Sequence, residues 1–205
     1  MTASIELREQ FGNIDIYLFD QLLKGRFTKT IRVLDAGCGD GRNLIYFMRS
    51  GYSCFAVDSS AQAVEHVRRM ASALAPQLPH QNFRVETIES MSFADESFDA
   101  VICSAVLHFA ANEDDFRRML AGAWRVLRPG GIFFARLASS IGIENKIKAR
   151  GDGRYLLPDE SERFLVDEEM LLRETDKLGA EFLEPIKTTN VQNLRAMTTW
   201  CIRRS

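Results

Sequence analysis

The run Val33-Leu34-Asp35-Ala36-Gly37-Cys38-Gly39-Asp40-Gly41-Arg42-Asn43-Leu44 concentrates the chemistry of this chain. An apolar stretch ends in a carboxylate, and three glycines follow at every second position. That order reads as a buried strand, a tight loop and a helix N-terminus. Without a Cβ at Gly37 and Gly39, a ligand can approach the backbone of such a loop closely. The Asp35 carboxylate at the strand tip calls for a partner that donates hydrogen bonds or carries positive charge. A second carboxylate, Asp58, ends the next apolar run, Ser53–Val57.

The loop is not a dinucleotide fingerprint. G-x-G-x-x-G fits Gly37 and Gly39, but Arg42 stands where its third glycine belongs, and Gly41 comes one place early. No Gly-Lys-Ser/Thr follows, so a phosphate-binding loop is absent too. Asp35 would repel a pyrophosphate and suits an amine-bearing or cationic ligand.

The elements that must position these groups follow from periodicity. Apolar runs predict strands over 31–35, 53–57, 83–87, 98–103 and 132–137. Helical spacing marks 13–24, 41–50, 60–74, 113–127 and 167–178, with Ser60, and Asn112 or Glu113, as N-caps. Pro129-Gly130-Gly131 breaks the chain before the fifth strand. Residues 182–188 and 194–203 read as a closing hairpin linked by 189–193. Alternating strands and helices with two-sided apolar runs predict an α/β fold, a mostly parallel sheet with helices on both faces. The 205 residues suit one domain, with 1–30 as an N-terminal helical cap and 139–166, which carry no sustained period, as a lid insertion.

Composition narrows the function. Hydrophobic residues make up 46% of the chain and net charge is -2, so nothing drives phosphate-backbone binding and no nucleic-acid partner is expected. No apolar run approaches the roughly 18 residues that span a membrane. Cys38, Cys54, Cys103 and Cys201 are scattered without CxxC spacing, which predicts a reducing cytoplasm and no metal site. The basic run Lys146, Lys148, Arg150 and Arg154 reads as a solvated loop or as a binding site for an anionic substrate.

Asp35-Ala36-Gly37-Cys38-Gly39-Asp40-Gly41 resembles the first motif of the class I, Rossmann-like S-adenosylmethionine-dependent methyltransferases. Ser92-Phe93-Ala94-Asp95-Glu96-Ser97-Phe98-Asp99-Ala100-Val101 is similar to the family's LPFxDxSFDxV stretch. Arg125-Val126-Leu127-Arg128-Pro129-Gly130-Gly131 is similar to its RVLKPGG turn, and Ser104-Ala105-Val106-Leu107-His108-Phe109 falls between the two in the usual place. Together these cover residues 31–138. The resemblance implies seven strands in the order 3-2-1-4-5-7-6, strand seven antiparallel, with S-adenosylmethionine bound across the strand ends and S-adenosylhomocysteine as product. Cofactor contacts carried over are Asp35, Gly37, Cys38 and Gly39 in the loop, Asp58 on the ribose hydroxyls with Ser59 beside it, Thr87 and Ile88 near the adenine, and Ser104. The family's acidic residue after strand three is replaced by Thr87, with Glu89 two places on. His108 is the candidate catalytic residue, at the end of strand four, where packing is the competing role. Tyr17 is a contact candidate from the N-terminal helix, and Arg136 ends strand five on the substrate side.

The implied activity is methyl transfer to a small-molecule acceptor by in-line displacement. Protein or RNA methylation and a non-catalytic cofactor-binding subunit are the alternatives. The acceptor itself and the oligomeric state are not written in the sequence.

Overall fold

A computed structural model describes residues 2–28 and 31–205. Of the expected N-terminal cap, Met1, Lys29 and Thr30 lie outside the described residues. The cap is two helices, α1 (Thr2–Phe11) and α2 (Ile16–Leu23). Asp15 starts α2 as its N-cap by accepting the Tyr17 amide at 2.9 Å.

The core then alternates: β1 (Arg32–Ala36), α3 (Ile45–Arg49), β2 (Ser53–Asp58), α4 (Ala61–Leu74), β3 (Phe83–Val85), β4 (Phe98–Ser104), α5 (Glu113–Val126) and β5 (Leu127–Ser139). The insertion carries three short strands, β6 (Lys148–Gly151), β7 (Arg154–Leu156) and β8 (Glu162–Phe164), before α6 (Glu168–Lys177). The chain closes with β9 (Ala180–Phe182), β10 (Lys187–Val191) and β11 (Arg195–Arg204).

The main sheet runs β3-β2-β1-β4-β5-β11-β10, parallel from β3 to β5, with β11 antiparallel between β5 and β10. This is the expected order with one strand more, because β9 and β10 each pair with part of β11. Strand neighbours alternate between two cores, as two-sided burial requires. Leu34, Val101, Phe133 and Trp200 face α5 and α6, while Val33, Ile102, Phe134 and Cys201 face α2, α3 and α4. Trp200 is fully buried and donates its indole N–H to Thr175 Oγ1 at 2.9 Å.

Three expectations shift. The helix expected over 41–50 begins only at Ile45, because Gly41 has φ +74 and the chain turns again through Leu44. Pro129-Gly130-Gly131 does not break the strand: pairing jumps from Phe98–Leu127 to Ala100–Ile132, so the turn bulges out of a continuous β5. The hairpin link is shorter than 189–193, since Val191 still pairs with Arg195. Residues 139–166, which show no sustained period in the sequence, hold an antiparallel sheet, and Phe164 stacks on Phe116 of α5 at 5.2 Å.

Candidate cofactor and acceptor cavities

Register brings the chemistry to one edge. Ala36 lies beside Val57, Asp58 beside Val85, and Ser104 beside Arg136, so the parallel strands end together. An open cavity of about 480 Å³ lies over this edge. Gly37 and Gly39 form one wall, with Asp58 and Ser59 beyond them. The chain from Glu86 to Glu89 lines the far side, and Ala105, Val106 and Phe109 line the near side.

The glycine loop is held by its own amides. Gly37 and Cys38 both donate to the Val57 carbonyl, at 2.8 and 3.0 Å, and Gly39 donates to Asp58 Oδ2 at 2.9 Å. Those N–H groups are spent inside the protein, which is why the loop is no phosphate cradle. A Cβ on Gly37 would meet both Val106 methyls at 2.6 Å, whereas one on Gly39 would meet nothing within 4 Å. The space over Gly39 is therefore open for a ligand to lie against the backbone.

Asp58 Oδ1 accepts the Ser60 amide at 2.8 Å, so each carboxylate oxygen is pinned by one backbone donor. A carboxylate offers about four acceptor positions, so roughly two remain for a pair of hydroxyls. Asp35 is fully buried beneath the loop, and its Oδ2 has no hydrogen-bond partner. Burial raises its pKa from 3.8 to about 7, with Arg42 pulling the other way. An orphaned acid at a strand tip and an open glycine wall fit a ligand that brings an ammonium and a ribose. Those two features match an S-adenosylmethionine site.

The carried-over residues divide. Gly37, Gly39, Asp58, Ser59, Thr87 and Ile88 line the cavity. Asp35 and Cys38 do not: both are buried beneath the wall, and burial pushes the Cys38 thiol pKa up. Ser104 is also set aside from the wall, because its hydroxyl lies 3.3 Å from Asp15 Oδ2 and 3.4 Å from Arg42 Nη2. Its role there is to tie α2 to the sheet. Glu89, noted from the sequence beside Thr87, also lines it, and Glu86, Ala105, Val106, Phe109, Asp115 and Met119, not singled out from the sequence as cofactor contacts, complete the lining. No local signal marks Asp115 and Met119, since only the packing of α5 over the strand ends brings them to the cavity.

His108 lies in a second cavity of about 360 Å³, which meets the first at Ala105. Arg136 and Ala138 of β5 line it together with residues of the insertion and the closing hairpin. His108 Nδ1 accepts the Ala138 amide at 3.1 Å. Burial, with the Arg163 charge behind it, lowers its pKa from 6.5 to about 4. The neutral ring therefore carries its proton on Nε2, which makes it a hydrogen-bond donor toward the cavity and not a base. Arg136 Nη1 bonds Asp15 Oδ2 at 3.1 Å, and its guanidinium lies 5.1 Å over the Tyr17 ring. Tyr17 thus braces Arg136 and is absent from the first cavity's lining. Among the described residues, no helix is long and apolar enough to cross a membrane.

The sequence pattern of the methyltransferase domain family matches residues 34–135. The tRNA 5-carboxymethoxyuridine methyltransferase of Escherichia coli K12 is 28% identical over 149 residues, 71% of this chain and 56% of that one. A ubiquinone biosynthesis O-methyltransferase from Methylocella silvestris is 35% identical over 105 residues, 51% of this chain and 39% of the relative. The chain thus spans about half the length of the curated relatives it matches. Burkholderia thailandensis 1,6-didemethyltoxoflavin-N1-methyltransferase, solved with its substrate and S-adenosylhomocysteine, superposes with a TM-score of 0.70 at 18% identity over 99% of this chain and 86% of that one, a likeness of fold. With the matched domain, the sheet order and the acid-and-glycine cavity on one strand edge, the chain belongs to the class I, Rossmann-like S-adenosylmethionine-dependent methyltransferases.

Proposed function

We propose that the protein transfers a methyl group from S-adenosylmethionine to a small-molecule acceptor. The observation that carries this reading is the pair of adjoining cavities sharing Ala105, the first with the acids and glycines of a cofactor site. The sulfonium supplies an already activated methyl, displaced in line by the acceptor. The protein's work is then to hold two molecules aligned and shielded from water, worth roughly 7–11 kcal/mol. Asp58 takes the ribose hydroxyls, Asp35 faces the amino group, and Gly37 and Gly39 admit the chain between them. Thr87 and Ile88 flank the adenine, with Glu86 and Glu89 beside them.

His108 serves as a fixed donor to the acceptor, oriented by the Ala138 amide. The chemistry needs no base where the acceptor atom already carries a lone pair or a negative charge. The relative that acts on a tRNA nucleoside keeps an RNA acceptor in view. Net charge of -2 and a small second cavity favour a metabolite. Four free, buried cysteines accord with a reducing cytoplasm.

The test is S-adenosylhomocysteine release over a panel of metabolites and unmodified tRNA. Turnover with a metabolite supports the reading, turnover with tRNA alone replaces it, and cofactor binding without any turnover assigns a non-catalytic role.

A further inference from the structure

The second cavity gathers guanidinium groups from three separate elements: Arg136 from β5, Arg163 from β8 and Arg195 from β11. Their hydrogen-bonding capacity is only partly used inside the protein. Arg136 has a buried Nε without a partner, besides the Nη1 bond to Asp15. Arg163 uses one N–H on the Glu162 carbonyl at 2.7 Å and lies 5.1 Å over the Phe109 ring. Arg195 has only Asp159 at 3.9 Å, beyond hydrogen-bond length.

Arg42 also lies 3.6 Å from Asp15. Arg42 lies outside this lining, so the cavity's three guanidinium groups face Asp159 in the lining and Asp15 beside Arg136, a formal excess of one positive charge. One oxygen of Asp159 is already filled by the amide and hydroxyl of Ser161, at 3.0 and 2.5 Å. The His108 Nε2 proton adds another donor. Leu157, Val191 and Met197 supply apolar wall between the charges. A cavity with surplus donors and apolar sides fits an anion with an apolar body, and the flat guanidinium fork matches a carboxylate.

We propose that the methyl acceptor is a small molecule with an apolar body and a carboxylate, and that Arg136, Arg163 and Arg195 hold that carboxylate in the second cavity. This rests on the methyl-transfer reading and names its substrate class. The junction supports it. Ala105 adopts a left-handed φ of +63, and its amide is fixed on the Arg136 carbonyl at 2.7 Å. Non-glycine residues adopt that conformation only where surrounding structure imposes it, often at ligand sites. A molecule anchored on the arginines therefore extends past Ala105 toward the first cavity. The basic run Lys146, Lys148, Arg150 and Arg154 is not part of this cavity's lining. Lys148 and Arg150 sit on an exposed strand, and Arg154 is engaged with Glu162 at 2.9 Å and the Ala110 carbonyl at 2.8 Å.

The experiment titrates benzoate, benzamide and inorganic phosphate into the full chain loaded with S-adenosylhomocysteine, by calorimetry. Benzoate is expected to bind with a Kd on the order of 1 mM, as suits nine heavy atoms. Benzamide, the same shape without charge, is expected to bind at least about tenfold more weakly, and so is phosphate, which has no apolar body. The double variant Arg163→Gln, Arg195→Gln is expected to lose benzoate binding at least about tenfold while holding S-adenosylhomocysteine as wild type does, which also reports that it is folded. No benzoate binding, equal binding of benzamide, tighter binding of phosphate, or an unaffected double variant would each overturn the proposal. If S-adenosylhomocysteine itself fails to bind, the methyl-transfer reading falls, a result separate from any of these.

Discussion

Asp58 Oδ2 accepts the Gly39 amide at 2.9 Å, so the acid ending β2 braces the loop that follows β1. One carboxylate thereby shapes the glycine wall and keeps acceptor positions for a ligand. Asp58→Ala is expected to weaken S-adenosylhomocysteine binding by more than about tenfold, since a hydrogen bond to a charged group contributes about 1.5–3 kcal/mol. Calorimetry on both proteins checks it, and equal affinities would remove the ribose role.

Asp35 predicts a pH dependence. Its folded pKa of about 7 lies above the ordinary 3.8, so the folded state holds this proton more tightly than the unfolded chain. The stabilisation it gives is complete below about pH 4 and is lost as pH rises through 7. An ammonium ligand needs the ionised acid, so wild-type affinity for S-adenosylhomocysteine should rise from pH 6 to 8. Asp35→Asn should bind more weakly and with a flat profile over the same range. A variant that keeps the slope would show that another group titrates.

His108 has the opposite sign. Its folded pKa of about 4 lies below 6.5, so the unfolded chain takes up the proton first. Its stabilisation is full above about pH 6.5 and declines as pH falls toward 4, by at most about 3 kcal/mol. His108→Gln is expected to flatten the fall in Tm between pH 6.5 and 4.5. Activity should show no inflection near 6.5 assignable to this ring, and one that vanished in the variant would reinstate it as a titrating group.

Asp15 is buried under α2 and meets Arg136 at 3.1 Å while capping the helix through Tyr17. Asp15→Ala removes the cap and leaves a part-buried guanidinium unpaired, at a cost of about 3–5 kcal/mol. Tm should drop, and amides of Ile16–Leu23 should exchange faster than those of α5. Uniform exchange in both helices would mean that Asp15 has no special hold on the cap.

Gly122 of α5 lies so close to the turn after β3 that a Cβ would meet the Ile88 carbonyl oxygen at 2.3 Å. Gly122→Ala should destabilise by about 1–3 kcal/mol and also loosen S-adenosylhomocysteine, because Thr87 and Ile88 line the cavity. Lost stability with full affinity would show that the turn moves without disturbing the site.

The glycine loop, Asp58 at the tip of β2, the Ser60 cap and the alternation of strand and helix were legible in the sequence. Each rests on neighbours within a few residues, where conformational preference acts. The parallel order of the sheet came with the family resemblance. Contacts between distant segments decided the rest. His108 became a neutral donor because β5 presents the Ala138 amide to it, thirty residues on. Ser104 turned to Asp15 because α2 folds back over β4. Arg136, Arg163 and Arg195 are far apart along the chain, and no local spacing marks them as partners. They meet because an insertion with no helical or strand period of its own folds onto the end of β5, where burial of Phe164 and Leu165 holds it in place.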